Sequence, residues 1–281
     1  MRLDRLLSIG LFAPLSRFTF PRKRKKIPIL MYHSISNDGE SGVHPYYSIG
    51  TTPEIFTQQM QSLSENGYRA VDIGTALEML HSNSTGKNKA VVLTFDDGYM
   101  DFFREAVPVL RRFGYTATVY LPTSWIHDRI SQRFNGKECL TWDKVRELND
   151  AGYVFGSHSA THGMLRNMKR KEIEDEICLS KAVIEDKIGR SVESFSYPYA
   201  FPEENRAFRK DLRQLLEGAC YRNGVSTTIG RISGWDDPYF LRRLPVNSFD
   251  DADLFRAKLE GGYDWMSKPQ YGFKVIKRML G

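Results

Sequence analysis

The chain has 281 residues, 41% of them hydrophobic and 26% charged, a composition ordinary for a soluble globular protein of one or two domains. Its net charge of +6 sits at one end: residues 1–26 hold eight Lys and Arg against Asp4 alone, a net +7, which leaves the remainder at −1. A near-neutral body argues against a nucleic-acid-binding domain, whose basic residues should stripe the folded surface. The 3 cysteines, Cys139, Cys178 and Cys220, form no Cys-x-x-Cys, which argues against a disulfide framework or a thiolate zinc site and suits a reducing compartment.

Residues 1–26 form a leader. Its apolar stretch, Leu6 to Leu15, is too short to span a bilayer as a helix. A secretory signal would place its charges before the apolar core and end in a small-residue cleavage site. Here the main cluster, Arg22 to Lys26, follows the apolar stretch. Two readings remain for this segment: an interfacial anchor with a polybasic patch, or a disordered, solvated leader.

From Ile27 onward, strand and helix signals alternate. Ile27 to Tyr32 reads as a buried strand ending at His33, followed by a long loop to about Ile49. Thr52-Pro53 starts a helix, as an N-cap with Pro at the first helical position. Tyr68–Val71 reads as a strand, Thr75–His81 as a short helix, Ala90–Phe95 as a strand and Tyr99–Phe113 as a helix. Strands at Thr116–Leu121, Tyr153–Gly156, Phe195–Tyr197, Cys220–Val225 and Arg243–Val246 alternate with helices at Trp142–Ala151, Lys169–Ile188, Glu203–Glu217 and Asp251–Leu259. This alternation predicts parallel strands with right-handed crossovers, hence an irregular (β/α) barrel with seven or eight parallel strands over 27–260 and a tail over 261–281.

The polar motifs sit where such a barrel would use them. Thr94-Phe95-Asp96-Asp97-Gly98 and His158-Ser159-Ala160-Thr161-His162 each follow a predicted strand, as do His33 and Tyr197-Pro198-Tyr199. The C-terminal ends of barrel strands share one face, where catalytic groups collect. Asp97, His158 and His162 supply three ligands for a divalent ion, plausibly zinc, and leave coordination sites open for water and substrate. Asp96 is then free to act as a base, since adjacent carboxylates take different roles in different environments. Asp96 and Asp97 as a mere helix cap is the bland alternative; the two histidines four apart weigh against it.

These residues resemble the polysaccharide deacetylase family, carbohydrate esterase family four. The likeness rests on Thr94-Phe95-Asp96-Asp97-Gly98, on His158 to His162, and on Pro28 to Ile35, which resembles the opening of the permuted branch that deacetylates poly-N-acetylglucosamine. It implies a deacetylase-type barrel, with His33 as the catalytic acid and the backbone N–H of Tyr199 holding the oxyanion. There are departures. The segment Phe195 to Ala200 carries no Arg and has Ala200 where the family has Gly, so the Arg that orients Asp96 must come from elsewhere, with Arg243 as the candidate.

The expected activity is metal-dependent N-deacetylation of N-acetylated sugars in a polysaccharide or glycan precursor, free or lipid-linked. The alternatives are an inactive glycan-binding protein on the same fold, or a hydrolase of a non-sugar amide. Trp125, Trp142 and Trp235 are candidates for sugar platforms or for packing. The leader suggests a cytoplasmic protein, or one peripheral at the inner membrane, with export as the competing reading.

Overall fold

A computed structural model describes residues 2–15, 25–38, 42–82 and 89–280. Eight parallel strands carry the fold: β1 (Ile29–Tyr32), β2 (Tyr68–Ala70), β3 (Lys89–Phe95), β4 (Thr118–Leu121), β5 (Val154–Ser157), β6 (Ser194–Ser196), β7 (Asn223–Ile229) and β8 (Leu241–Pro245). Seven of them form a closed ring in the order β1-β8-β7-β6-β5-β4-β3, sealed by β1 against β3 with Tyr32 opposite Phe95. The eighth, β2, lies outside the ring. It pairs with Lys89–Val91 of β3, while Thr94–Phe95 further along the same strand pairs with β4. The barrel expected from the alternation is present, with seven strands in the ring and one beside it.

The strands are where apolar runs predict them because a parallel strand is covered on both faces. In β3 every residue after Lys89 is buried, so Ala-Val-Val-Leu-Thr-Phe needs no alternation. Around the ring lie α1 (Leu3–Leu7, continued by a π-helical turn at Ser8–Phe12), α2 (Pro53–Glu65), α3 (Ile73–His81), α4 (Val107–Phe113), α5 (Trp142–Asp150), α6 (Arg170–Ile188), α7 (Arg206–Gly218), α8 (Ala252–Glu260) and α9 (Ser267–Leu280). The Thr52 hydroxyl caps α2 by accepting from Ile55 N–H. The buried face of α2 then follows the helical period at Phe56, Met60 and Leu63, each contributing about 1.5–3 kcal/mol by burial.

Several boundaries differ from the sequence reading. β7 runs from Asn223 to Ile229 rather than ending at Val225: its Ser and Thr residues look loop-like, yet Ser226 Oγ donates to Leu241 O inside the sheet. The helix expected from Tyr99 contains a π-helical turn, Phe102–Ala106, before α4.

Both ends of the chain lie against the barrel. In the segment expected as a leader, residues 3–15 are helical; Arg2 pairs with Asp4 and Asp250, Arg5 pairs with Asp251, and Phe12 stacks on Trp265. Of the basic cluster, Arg22, Lys23 and Arg24 lie outside the described residues. Its last two members do not form a free polybasic patch, because Lys25 donates to Met79 O and Lys26 pairs with Asp264. The tail is α9, held by Gln270 and Lys274.

Candidate active site

Asp96 and Asp97 directly follow the end of β3, and His158 Nε2 lies 3.9 and 3.5 Å from their carboxylates. Asp97 has φ 69°, a left-handed conformation that a short acidic residue tolerates, and Gly98 follows at φ 59°. A Cβ on Gly98 would lie 2.8 Å from Leu121 Cδ2, so both the turn and its packing require glycine there. The other residues at this site are held in the same unusual way: Ser159, His162 and Tyr199 all have φ near 60°. Together with Asp97 they make up four of the chain's six described non-glycine residues at positive φ. Strain of this kind gathers where the surrounding structure fixes a functional geometry.

The ligand atoms of Asp97, His158 and His162 lie within 4.8 Å of one another, and all three residues are buried. His162 Nε2 is 3.3 Å from Asp97 Oδ1, and His158 Nε2 is 3.5 Å from it. His158 Nδ1 donates to Ser196 O at 2.8 Å, since a carbonyl can only accept. That turns Nε2, rather than Nδ1, toward the carboxylate, the arrangement of a metal-ligating histidine. Asp97 Oδ1 is itself buried with no hydrogen-bond partner among the described residues. A buried, ionised oxygen left in that state is destabilising unless a cation meets it, so this donor set fits a divalent ion. The two imidazoles outweigh burial and hold the Asp97 carboxyl well below the usual range.

The loop between the two histidines is pinned by a residue the sequence reading missed. Glu176, on α6, accepts from Thr161 N–H at 2.8 Å and from the Thr161 hydroxyl at 2.7 Å. The available signal was its position on the buried face of α6 with Ile173, Ile177 and Ser180, where a carboxylate needs a partner. The Ser159 hydroxyl accepts from His162 N–H. Phe134 and Tyr199 pack against the His162 ring at 4.9 and 4.8 Å.

Asp96 is held by different partners. Arg243, fully buried on β8, donates to Asp96 Oδ1 and Oδ2 at 2.7 Å each. Its remaining donors reach Ser226 O, the Thr94 hydroxyl and the Ser196 hydroxyl. The Arg absent from residues 195–200 is thus supplied by β8, which removes one observation behind the inactive reading. Burial alone would push the Asp96 carboxyl up; the Arg243 guanidinium overcomes it and holds it at about 2. His33 follows β1, with Nε2 3.9 Å from Asp96 Oδ2, and its burial lowers its pKa. Tyr199 is half exposed at the open side, and no hydrogen bond among the described residues engages its N–H. Trp142 is buried in the core, and Trp125 packs on Phe134. Trp235 is exposed in the connection between β7 and β8.

Residues 83–216 match the model of the family described as polysaccharide deacetylase. A Bacillus subtilis protein named as a polysaccharide deacetylase, YxkH, is 28% identical over 85% of this chain and 77% of its own length. The poly-beta-1,6-N-acetyl-D-glucosamine N-deacetylase of Escherichia coli is 32% identical over 46% of this chain, which spans only 20% of that enzyme. Among solved structures, a Streptococcus pyogenes deacetylase in complex with acetate superposes with a TM-score of 0.69 at 24% identity, covering 84% of this chain and 99% of that one. IcaB from Ammonifex degensii gives 0.67 at 20% identity, covering 84% and 97%. The structural likenesses establish the shared barrel, and the match over residues 83–216 identifies a polysaccharide deacetylase domain in this chain, a hydrolase acting on amide carbon–nitrogen bonds.

Proposed function

We propose that this chain removes acetyl groups from the N-acetylated sugars of a polysaccharide or glycan precursor, and that it does so with a divalent metal, zinc being the natural choice for one carboxylate and two imidazoles. The observation that carries the reading is the separation of two adjacent carboxylates into different environments: Asp97 faces two imidazoles, and Asp96 is clasped by Arg243.

Asp97, His158 and His162 would hold the ion. When bound, it would polarise the acetamide carbonyl and make water more acidic. Asp96 accepts the proton of the attacking water; the Arg243 guanidinium keeps it ionised and fixes the plane of its carboxylate. The Tyr199 N–H donates to the oxygen on which negative charge develops. His33, near Asp96, protonates the leaving amine, which departs as a free amino sugar alongside acetate.

The test is acetate release from free, lipid-linked and polymeric N-acetylhexosamines, with the metal content of the protein measured in parallel. Release that requires added zinc or cobalt and stops with chelator supports the reading. Metal-loaded protein that binds these glycans without releasing acetate would overturn it.

A further inference from the structure

The two terminal helices expose apolar side chains while polar contacts anchor them. On α9, Gln270 accepts from Ile229 N–H and donates to Thr227 O, both at 2.9 Å, and Lys274, one turn later, pairs with Glu203. The face toward the barrel is therefore the polar one. Phe273, Ile276 and Met279, spaced three apart, look outward and are 66%, 56% and 79% exposed. A surface helix of a globular protein normally does the reverse. On α1 and its π-helical turn, Arg2 and Asp4 reach Asp250 and Tyr263, and Ser8 accepts from Trp265, while Leu3, Leu6 and Leu11 are exposed. The Phe12–Trp265 stack, centroids 4.7 Å apart, joins the end of the π-helical turn to the residues just before α9.

Charge is divided the same way. Residues 1–26 carry net +7 and residues 267–281 carry +4 with no acidic residue, so the 240 residues between them carry −5 of the total +6. No described helix is long and apolar enough to cross a membrane. We propose that α1 and α9 together form a docking face for the surface of an anionic lipid bilayer, with Leu3, Leu6, Leu11, Phe273, Ile276 and Met279 entering the headgroup boundary. Apolar side chains on helices embedded in strongly basic segments are the composition that such an interface selects. Both helices are tied to segments that follow barrel strands: Asp250 and Asp251 after β8, Ile229 at the end of β7, and Glu203 after β6. The proposal does not depend on the deacetylase reading, because lipid binding is measured without turnover.

The experiment uses the full-length chain, sedimented with vesicles of mixed phosphatidylcholine and phosphatidylglycerol and with vesicles of phosphatidylcholine alone. Wild type should bind the mixed vesicles, ignore the neutral ones, and be released by high salt. The triple variants F273Q/I276Q/M279Q and L3Q/L6Q/L11Q should each weaken binding by at least about tenfold, given the apolar area withdrawn. Their circular dichroism should be unchanged, since the replaced side chains are exposed. Absence of vesicle binding by wild type overturns the proposal, as does binding that both variants retain in full. Size-exclusion chromatography with light scattering supplies a third outcome. Dimeric wild type, monomeric variants and no vesicle binding would assign the face to a second copy of the chain.

Discussion

Arg243 meets Asp96 through two parallel hydrogen bonds of 2.7 Å, although 147 positions separate them in the chain. Such a fork orients a carboxylate as well as ionising it. Asp96→Asn keeps the shape and removes the basicity, so acetate release should collapse while metal content stays at the wild-type level. Loss of metal instead would show that Asp96 and Asp97 have exchanged roles.

Arg243→Lys retains the charge and loses the fork. We expect lower kcat, with the Asp96 carboxyl rising from about 2 toward the ordinary carboxylate range. The stability sign follows from the lowered pKa. Asp96 stabilises the wild-type fold by about 2 kcal/mol above the unfolded carboxylate range, and this contribution is lost as pH falls through about 2. Denaturant titrations of wild type and Arg243→Lys across acidic pH check this.

Ion binding should depend on pH with a definite sign. Burial lowers the pKa of His158, but Asp96 and Asp97 outweigh it, and the net shift in the metal-free protein is upward. A proton therefore competes with the ion at His158 to higher pH than at a free histidine. Zinc affinity, measured by calorimetry, should rise between about pH 6 and pH 8. His162→Ala should abolish stoichiometric metal at either pH.

His33→Ala should lower kcat by about 10²–10⁴-fold with little change in metal content, the range expected for loss of a general acid. An unchanged rate would assign protonation of the amine to water or another group.

Glu176→Gln should leave α6 folded and weaken the hold on Thr161, so that His162 is less well placed. The expected result is a loss of about 10–100-fold in metal affinity, as for other groups that orient a ligand. Equal affinity in the variant would make Glu176 a purely structural carboxylate.

Much of the barrel and its site is legible in the sequence, for local reasons. The continuous apolar run of β3 can only be a strand covered on both faces, and the carboxylates and histidines follow their strands directly. What is hidden depends on distant partners. Arg243 is reached only through the resemblance, which asks for an Arg beside Asp96 and finds none in residues 195–200; the strand that carries it does not show the pairing by itself. Glu176 reads as one more charge on a charged helix until Thr161 arrives. Ser226 to Ile229 looks like a loop because the partner of the Ser226 hydroxyl, Leu241 O, lies on a neighbouring strand. The terminal helices resist the ordinary amphipathic reading because their anchoring contacts are polar.

The seam of the barrel has a consequence for the order in which the protein can become an enzyme. During synthesis, Asp97, His158 and His162 have all emerged roughly eighty residues before Arg243. The strand carrying Arg243 must then wedge beside β1, with Leu244 against Leu30 and Pro245 against Met31. A nascent chain could therefore assemble a metal site while Asp96 still lacked its counter-ion. On the proposed mechanism the general base is complete only once the last strand is in place.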